Sequence, residues 1–409
     1  MGQGASTSQA PIGVYNLHSG GRLYVAPMID ESGSTLQFAF SSSRLEGRAK
    51  RQPNGSYADD DSCQTQLAFS AERVLIQTCK AKAVGVREFI IVRTLFRITA
   101  SDGVSISGCL WTRQGFKAKV GVVLAHGADD ESQDMGTIIP MFLSRGLSVA
   151  SFDQRGVGRS GGAWRSDGIL QVAADVAQIA RLLQTDYGLR RVGFYGFSNG
   201  GWVAPAAAAR FADPAFVIIK SGDSESVADN VQFEQVTTIG KRFGPDAGRA
   251  AGALLGQVFK ALESDSNDDW HQAKVALKAA EAEPWIRSMP LPPSEALPLP
   301  PAVKAGFSRQ LIYDPASDIQ RLPCPILVLL GTDDLDVNTQ LSGERYKSLA
   351  KAVGNRALTV HFLVGAGHQL AMGPGGAANS SLVTGVYANG FPELMFDWIE
   401  DRVKPAPDK

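Results

Sequence analysis

Gly196-Phe197-Ser198-Asn199-Gly200 follows the apolar run Val192-Gly193-Phe194-Tyr195 and precedes Gly201-Trp202 and the alanine-rich Val203–Ala209. Read together, these residues describe a strand, a sharp turn centred on a serine, and the start of a helix. Such a turn strains the serine backbone and leaves no room for side chains two residues to either side, so both flanks must be very small. The hydroxyl is then lifted above the strand ends, with a helix N-terminus behind it that favours negative charge. Among 43 glycines a bare G-x-S-x-G match is weak. Its setting strengthens it, and the residues downstream decide the case.

A serine hydroxyl is a poor nucleophile near neutral pH. It needs a base to take its proton, and the base needs an acceptor that fixes its tautomer and stabilises its charged form. Only five histidines are available. His18 falls in a turn, His271 on an expected helix, His361 inside an expected strand, and His126 belongs to a separate His126-Gly127 motif. His368 remains, in Val364-Gly365-Ala366-Gly367-His368, a loop after the last expected sheet strand from which an imidazole reaches over the serine. The acid should follow another strand. Val328-Leu329-Leu330-Gly331-Thr332-Asp333-Asp334-Leu335-Asp336 offers three carboxylates there. Asp334, three residues past the strand-ending glycine, is the choice; Asp333 and Asp336 are the fallbacks, and Asp223 a more distant one. The order Ser198, Asp334, His368 is that of the strand-turn-helix serine hydrolases. A developing oxyanion needs two donors. The N–H of Asn199, directly after the serine, is one; the N–H of Ala128, freed to face the site by Gly127, is the other.

The chain has 409 residues, 44% hydrophobic and 20% charged, with a formal net charge of −1. That is too long for one average domain and ample for a large core. No basic face points to nucleic acid, and no apolar run approaches the roughly 20 residues that span a bilayer, so the chain reads as soluble. Its compartment stays open, cytoplasmic or secreted after loss of a leader. Met1-Gly2-Gln3-Gly4-Ala5-Ser6 fits a loose myristoylation pattern and equally a processed, polar start. Cys63, Cys79, Cys109 and Cys324 have no metal-site spacing. Cys63 and Cys79 share one short β-rich stretch and either bridge or serve as small buried hydrophobes.

Residues 1–88 read as small β units, with Ser19-Gly20-Gly21, Ser32-Gly33-Ser34 and Gln52-Pro53-Asn54-Gly55 as turns. From residue 89 an antiparallel pair, Phe89–Ile98 and Val104–Trp111, leads into buried-type runs: Val120–Ala125, Leu147–Phe152, Arg191–Phe197, Phe216–Lys220, Pro325–Gly331 and Thr359–Val364. Alternating with helices such as Gly168–Gln184, they predict a mainly parallel eight-stranded sheet covered on both faces. A β-rich accessory domain (1–88), a catalytic α/β domain (89–221 and 321–409) and an inserted helical cap (222–320) result. The insertion holds helices at Asp246–Glu263 and at Asp268–Ala282, the latter capped by Asp268 or Asp269. The segment Met289–Pro301, with six prolines, is expected to be extended.

With these motifs assembled, residues 90–405 resemble the α/β-hydrolase superfamily. The likeness rests on His126-Gly127, Asp153-Gln154-Arg155-Gly156-Val157-Gly158-Arg159-Ser160-Gly161, Gly196–Gly200 and the Asp334/His368 pair, all in order. Asp153 and Arg155 then read as structural. With its N-terminal β domain, Gly-Trp after the elbow and helical insertion, the chain looks like bacterial serine esterases related to the prolyl-oligopeptidase branch. The resemblance implies hydrolysis of an ester, amide or thioester through an acyl-enzyme, with no metal or organic cofactor. A carboxylic ester of a small molecule is the expected substrate, with a peptidase, amidase or thioesterase as the rival. A non-catalytic binding protein on this fold is the remaining class. Gly127, Trp202, Trp270, Trp285 and Phe307 are candidate substrate contacts, the aromatics either lining an apolar pocket or packing the insertion. Oligomeric state is not legible.

Overall fold

The structure, a computed structural model, describes residues 11–27, 35–43, 45–59, 65–79, 81–128, 136–163, 167–352, 357–372 and 385–402. The Met1–Ser6 pattern, the Ser32-Gly33-Ser34 turn and Cys63 lie outside them. Cys79 is disulfide-bonded, whereas Cys109 and Cys324 are buried free thiols.

The first eight strands are β1 (Gly13–Leu17), β2 (Arg22–Pro27), β3 (Thr35–Phe40), β4 (Leu45–Arg51), β5 (Tyr57–Ala58), β6 (Gln66–Phe69), β7 (Arg73–Gln77) and β8 (Lys82–Phe89). Each pairs antiparallel with the next, and β8 returns to β1, so the ring closes into a barrel. Period-two alternation sorts its residues. Tyr15, Leu23, Val25 and Phe38 fill the interior, while their neighbours Val14, Tyr24 and Ala39 join a second core shared with the rest of the chain.

The second sheet contains β9 (Ile91–Thr99), β10 (Ser105–Arg113), β11 (Val120–Ala125), β12 (Ser148–Phe152), β13 (Arg191–Phe197), β14 (Pro214–Lys220), β15 (Ile326–Gly331) and β16 (Leu358–Leu363). Their spatial order is β16-β15-β14-β13-β11-β12-β10-β9. The six from β16 to β12 run parallel, and β10 and β9 are antiparallel at one edge. β14 and β15 are buried along their whole length, as strands covered on both faces must be. Helices α1 (Ile138–Ser144), α2 (Gly168–Thr185) and α3 (Gly200–Ala208) connect them. Between β14 and β15 come α4 (Val227–Phe243), α5 (Pro245–Ser264), α6 (Asn267–Ala280), α7 (Pro301–Leu311) and α8 (Ala316–Arg321); α9 (Thr339–Ala352) and α10 (Glu393–Arg402) follow. α2, α3 and the long insertion share one core. α1 and α10 pack on the opposite face, where the barrel also leans. This is the α/β-hydrolase fold.

Three details depart from the sequence reading. α4 was not expected: its buried positions are Val227, Asn230, Gln235 and Ile239, two of them amides, so no apolar stripe marks it. The cap of α6 is Ser266, whose hydroxyl accepts from Asp269 N–H at 3.1 Å, rather than an aspartate. Met289–Pro301 is broken by a 3₁₀ turn at Ser294–Ala296, and Pro301 opens α7, where a missing N–H costs nothing.

After β16 the chain forms a hairpin of β17 (Ala371–Met372) and β18 (Gly385–Tyr387), and β18 adds to barrel strand β4. The barrel is thereby stitched to the loop that carries His368.

Candidate active site

β13 ends in the serine turn. Ser198 sits at φ +54°, a left-handed conformation that side chains rarely adopt. A Cβ on Gly196 would come within 2.0 Å of Gly200 O, and one on Gly200 within 2.1 Å of Ala125 O. Both flanks are therefore glycine for the steric reason the sequence suggested. Ser198 N–H donates to Lys220 O at 3.0 Å, and Gly201 N–H returns to Ser198 O at 2.7 Å, starting α3.

The candidate acid and base follow β15 and β16, on the far side of β14 from the serine turn. Gly331 closes β15 under the histidine loop, where a Cβ would lie 2.3 Å from Ala366 O. Asp333 N–H donates to Ala366 O at 2.9 Å, and Gly365 N–H to Thr332 Oγ1 at 2.8 Å, which ties the two loops together. Asp334 Oδ1 accepts the N–H groups of Asp336 at 2.9 Å and Val337 at 3.2 Å. His368 Nδ1 donates to Asp334 Oδ2 at 2.9 Å, with Oδ1 at 3.1 Å and Asp336 Oδ2 at 3.7 Å. A proton on Nδ1 leaves Nε2 as the free base. Burial opposes the charged imidazole, yet the Asp334 hydrogen bond and the charges of Asp334 and Asp336 outweigh it and, against Lys220, raise the pKa above its ordinary 6.5. No hydrogen bond joins Ser198 to His368 among the described residues; such contacts commonly tighten only when substrate binds. Asp333 accepts from its neighbour Thr332 Oγ1. Asp223 accepts from Glu225 N–H, Asn230 Nδ2 and Ser342 Oγ. Both are occupied away from His368.

Asp334, Asp336 and His368 are also the one group of three among the described residues with ligand atoms within 4.8 Å of one another. With Nδ1 committed to a carboxylate, the arrangement suits proton transfer.

Gly127 and Ala128 follow β11. His126 beneath them is buried, with Nε2–H donating to Phe152 O at 2.9 Å and Nδ1 accepting from Gln154 Nε2 at 3.1 Å. Gln154 also donates to Gly127 O at 3.0 Å. Gln154 is the residue the sequence reading passed over: it stands at the end of β12, between Asp153 and Arg155, and clamps the loop carrying Ala128. Ala128, Asn199, Ile169, Val172 and Gln310 of α7 line one pocket. Trp202, Trp270, Trp285 and Phe307 do not line it. The indole N–H of Trp202 donates to Glu225 O, and that of Trp270 to Asp265. Both indoles and Trp285 are buried in the core, while Phe307 is 42% exposed on α7. Aromatic residues have a large apolar area of their own to bury, and here packing takes the three tryptophans, one on α3 and two in the insertion. Arg155, buried against Asp175, Asp102 and Asp167, is structural as expected.

The fold and the site define an α/β-hydrolase. The sequence model of the family described as serine aminopeptidase, S33, matches residues 117–374, and the chain belongs to that family. No curated protein matches. Solved structures of similar fold include an esterase of Pyrococcus furiosus, 16% identical over 77% of this chain and 92% of that one, with a TM-score of 0.48. The α/β hydrolase GrgF of Penicillium sp. sh18 is 16% identical, over 76% and 99%, with a TM-score of 0.46. A cold-adapted esterase from an Arctic intertidal metagenomic library is 14% identical, over 78% and 97%, with a TM-score of 0.43. No helix among the described residues is long and apolar enough to cross a membrane.

Proposed function

We propose that the protein cleaves carboxylic esters of small molecules through an acyl-enzyme on Ser198. The single observation that carries this reading is the His368–Asp334 pair at 2.9 Å, at the strand ends beside a serine held at φ +54°. His368 Nε2 takes the Ser198 proton as Oγ bonds to the acyl carbon. The carbonyl π pair moves onto oxygen, held by the Ala128 and Asn199 N–H groups. The intermediate collapses, the bond to the leaving alkoxide breaks, and His368 returns the proton to it. Water then repeats the sequence and releases the acid. Asp334 fixes the Nδ1–H tautomer throughout. No metal or organic cofactor enters these steps. α7, which brings Gln310 to the pocket, lets the insertion act as a cap.

Membership in a family described by a serine aminopeptidase favours a second reading, amide hydrolysis on the same residues. Turnover of a p-nitrophenyl ester against an aminoacyl-p-nitroanilide separates the two. Ser198→Ala should abolish ester turnover and labelling by a fluorophosphonate probe. Unchanged turnover and labelling in that variant would falsify the proposal.

A further inference from the structure

Two consecutive residues at the end of β14 hold the proposed nucleophile and base, one each. Lys220 O accepts the Ser198 N–H at 3.0 Å. Ser221 Oγ donates to the backbone carbonyl of His368 at 2.6 Å. Ser221 is completely buried and stands at φ +49°, a conformation in which a side chain is strained.

The surroundings hold it there. Ser221 N–H donates to Leu329 O of the neighbouring strand at 2.9 Å. On the other side Gly222 is pressed against the start of α3, so closely that a Cβ on Gly201 would reach within 2.6 Å of Gly222 Cα. The backbone therefore cannot swing toward α3 to relax the turn. A glycine would make this turn without strain. What a serine adds at residue 221 is its hydroxyl, and that hydroxyl meets His368.

The histidine loop needs such a hold. His368 lies between Gly365 at φ +73° and Leu370 at φ +57°, and its imidazole is steered by a carboxylate only at Nδ1. Asp334 sets the ring's tilt, whereas the carbonyl contact sets where its backbone stands relative to β14, and so relative to Ser198 on the adjoining strand. We propose that Ser221 is a positioning residue: a strained serine that brackets the base to the same strand end as the nucleophile. This rests on the reading of Ser198 and His368 as nucleophile and base.

The test uses the full chain with Ser221→Gly and Ser221→Ala, measuring kcat and KM on p-nitrophenyl acetate, the thermal midpoint, and the rate of fluorophosphonate labelling. Glycine removes hydroxyl and strain together, so its thermal midpoint should equal or exceed that of the parent. Its kcat should fall about 10- to 100-fold, the cost of misplacing a reacting group by about 1 Å, with KM little changed. Alanine should lose kcat similarly with a lower midpoint, since the strain stays. Labelling, counted per folded molecule, should slow in step with kcat in both. A glycine variant with parental kcat overturns the proposal. So does a loss in either variant that merely tracks the folded fraction, the signature of a purely structural serine. Failure of the underlying reading is separate: Ser198→Ala would then keep its turnover whatever residue 221 does.

Discussion

Asp334→Asn removes a charge and little else, because the side chain is wholly buried and asparagine has its shape. In the proposed mechanism His368 accepts the serine proton with its Nδ1 2.9 Å from a carboxylate oxygen. At an effective dielectric near 20, that attraction is about 6 kcal/mol. Asp336, now 3.7 Å away, already contributes about 4.5 kcal/mol by the same arithmetic, and closing to hydrogen-bond distance would recover about 1 kcal/mol. The net loss is about 4 to 5 kcal/mol, or roughly 10³-fold in kcat/KM. Tautomers push the same way. Oδ1 is committed to two backbone N–H groups, so the asparagine keeps its oxygen there and turns its NH₂ toward Nδ1. The imidazole proton then moves to Nε2, where it blocks the serine. Initial rates on p-nitrophenyl acetate near neutral pH, with Asp336→Asn in parallel, make the comparison. If Asp334→Asn stays within tenfold of the parent, or Asp336→Asn is the more damaging, the acid has been misassigned.

The raised pKa of His368 predicts that kcat/KM climbs with pH through a value above 6.5, and that Asp336→Asn lowers it by removing a nearby negative charge. The same shift acts on stability. A histidine whose folded pKa exceeds its unfolded one stabilises fully below about pH 6.5, and this is lost as pH rises through the folded value. In a Ser198→Ala background, His368→Gln should therefore lower the urea midpoint more at about pH 6 than at about pH 9; an equal drop contradicts the shift. Arg155→Met leaves Asp175 buried without its partner and should cost about 3 to 5 kcal/mol in urea unfolding, while a loss below about 1 kcal/mol would deny Arg155 its structural role.

The serine turn was legible because its residues are contiguous. Gly196 is required by a contact inside the turn and Gly200 by the end of β11, yet both sit in one five-residue pattern, and the aspartate loop follows the unbroken apolar run of β15. What escaped depends on distant partners. β4 reads Leu-Glu-Gly-Arg-Ala-Lys-Arg, too charged to announce a strand, yet it bonds β3, β5 and β18 and closes the barrel. Ser221 looks like an ordinary loop serine until the histidine loop is folded over it. The tryptophans were ambiguous for the opposite reason: an aromatic ring suits a pocket wall and a core equally, and only the packing of α3 and α6 decides.

The seam between β4 and β18 has a consequence for the order of assembly. Leu45 pairs with Val386, some 340 residues further along, and β17 begins three residues after His368. A barrel strand made early in synthesis must wait for a partner made late, and closing so long a loop is entropically slow. The histidine loop therefore reaches its final tether only after both sheets exist. A chain ending before β18 would lack the Leu45–Val386 pairing, and with it the tie between the barrel and the segment that follows His368.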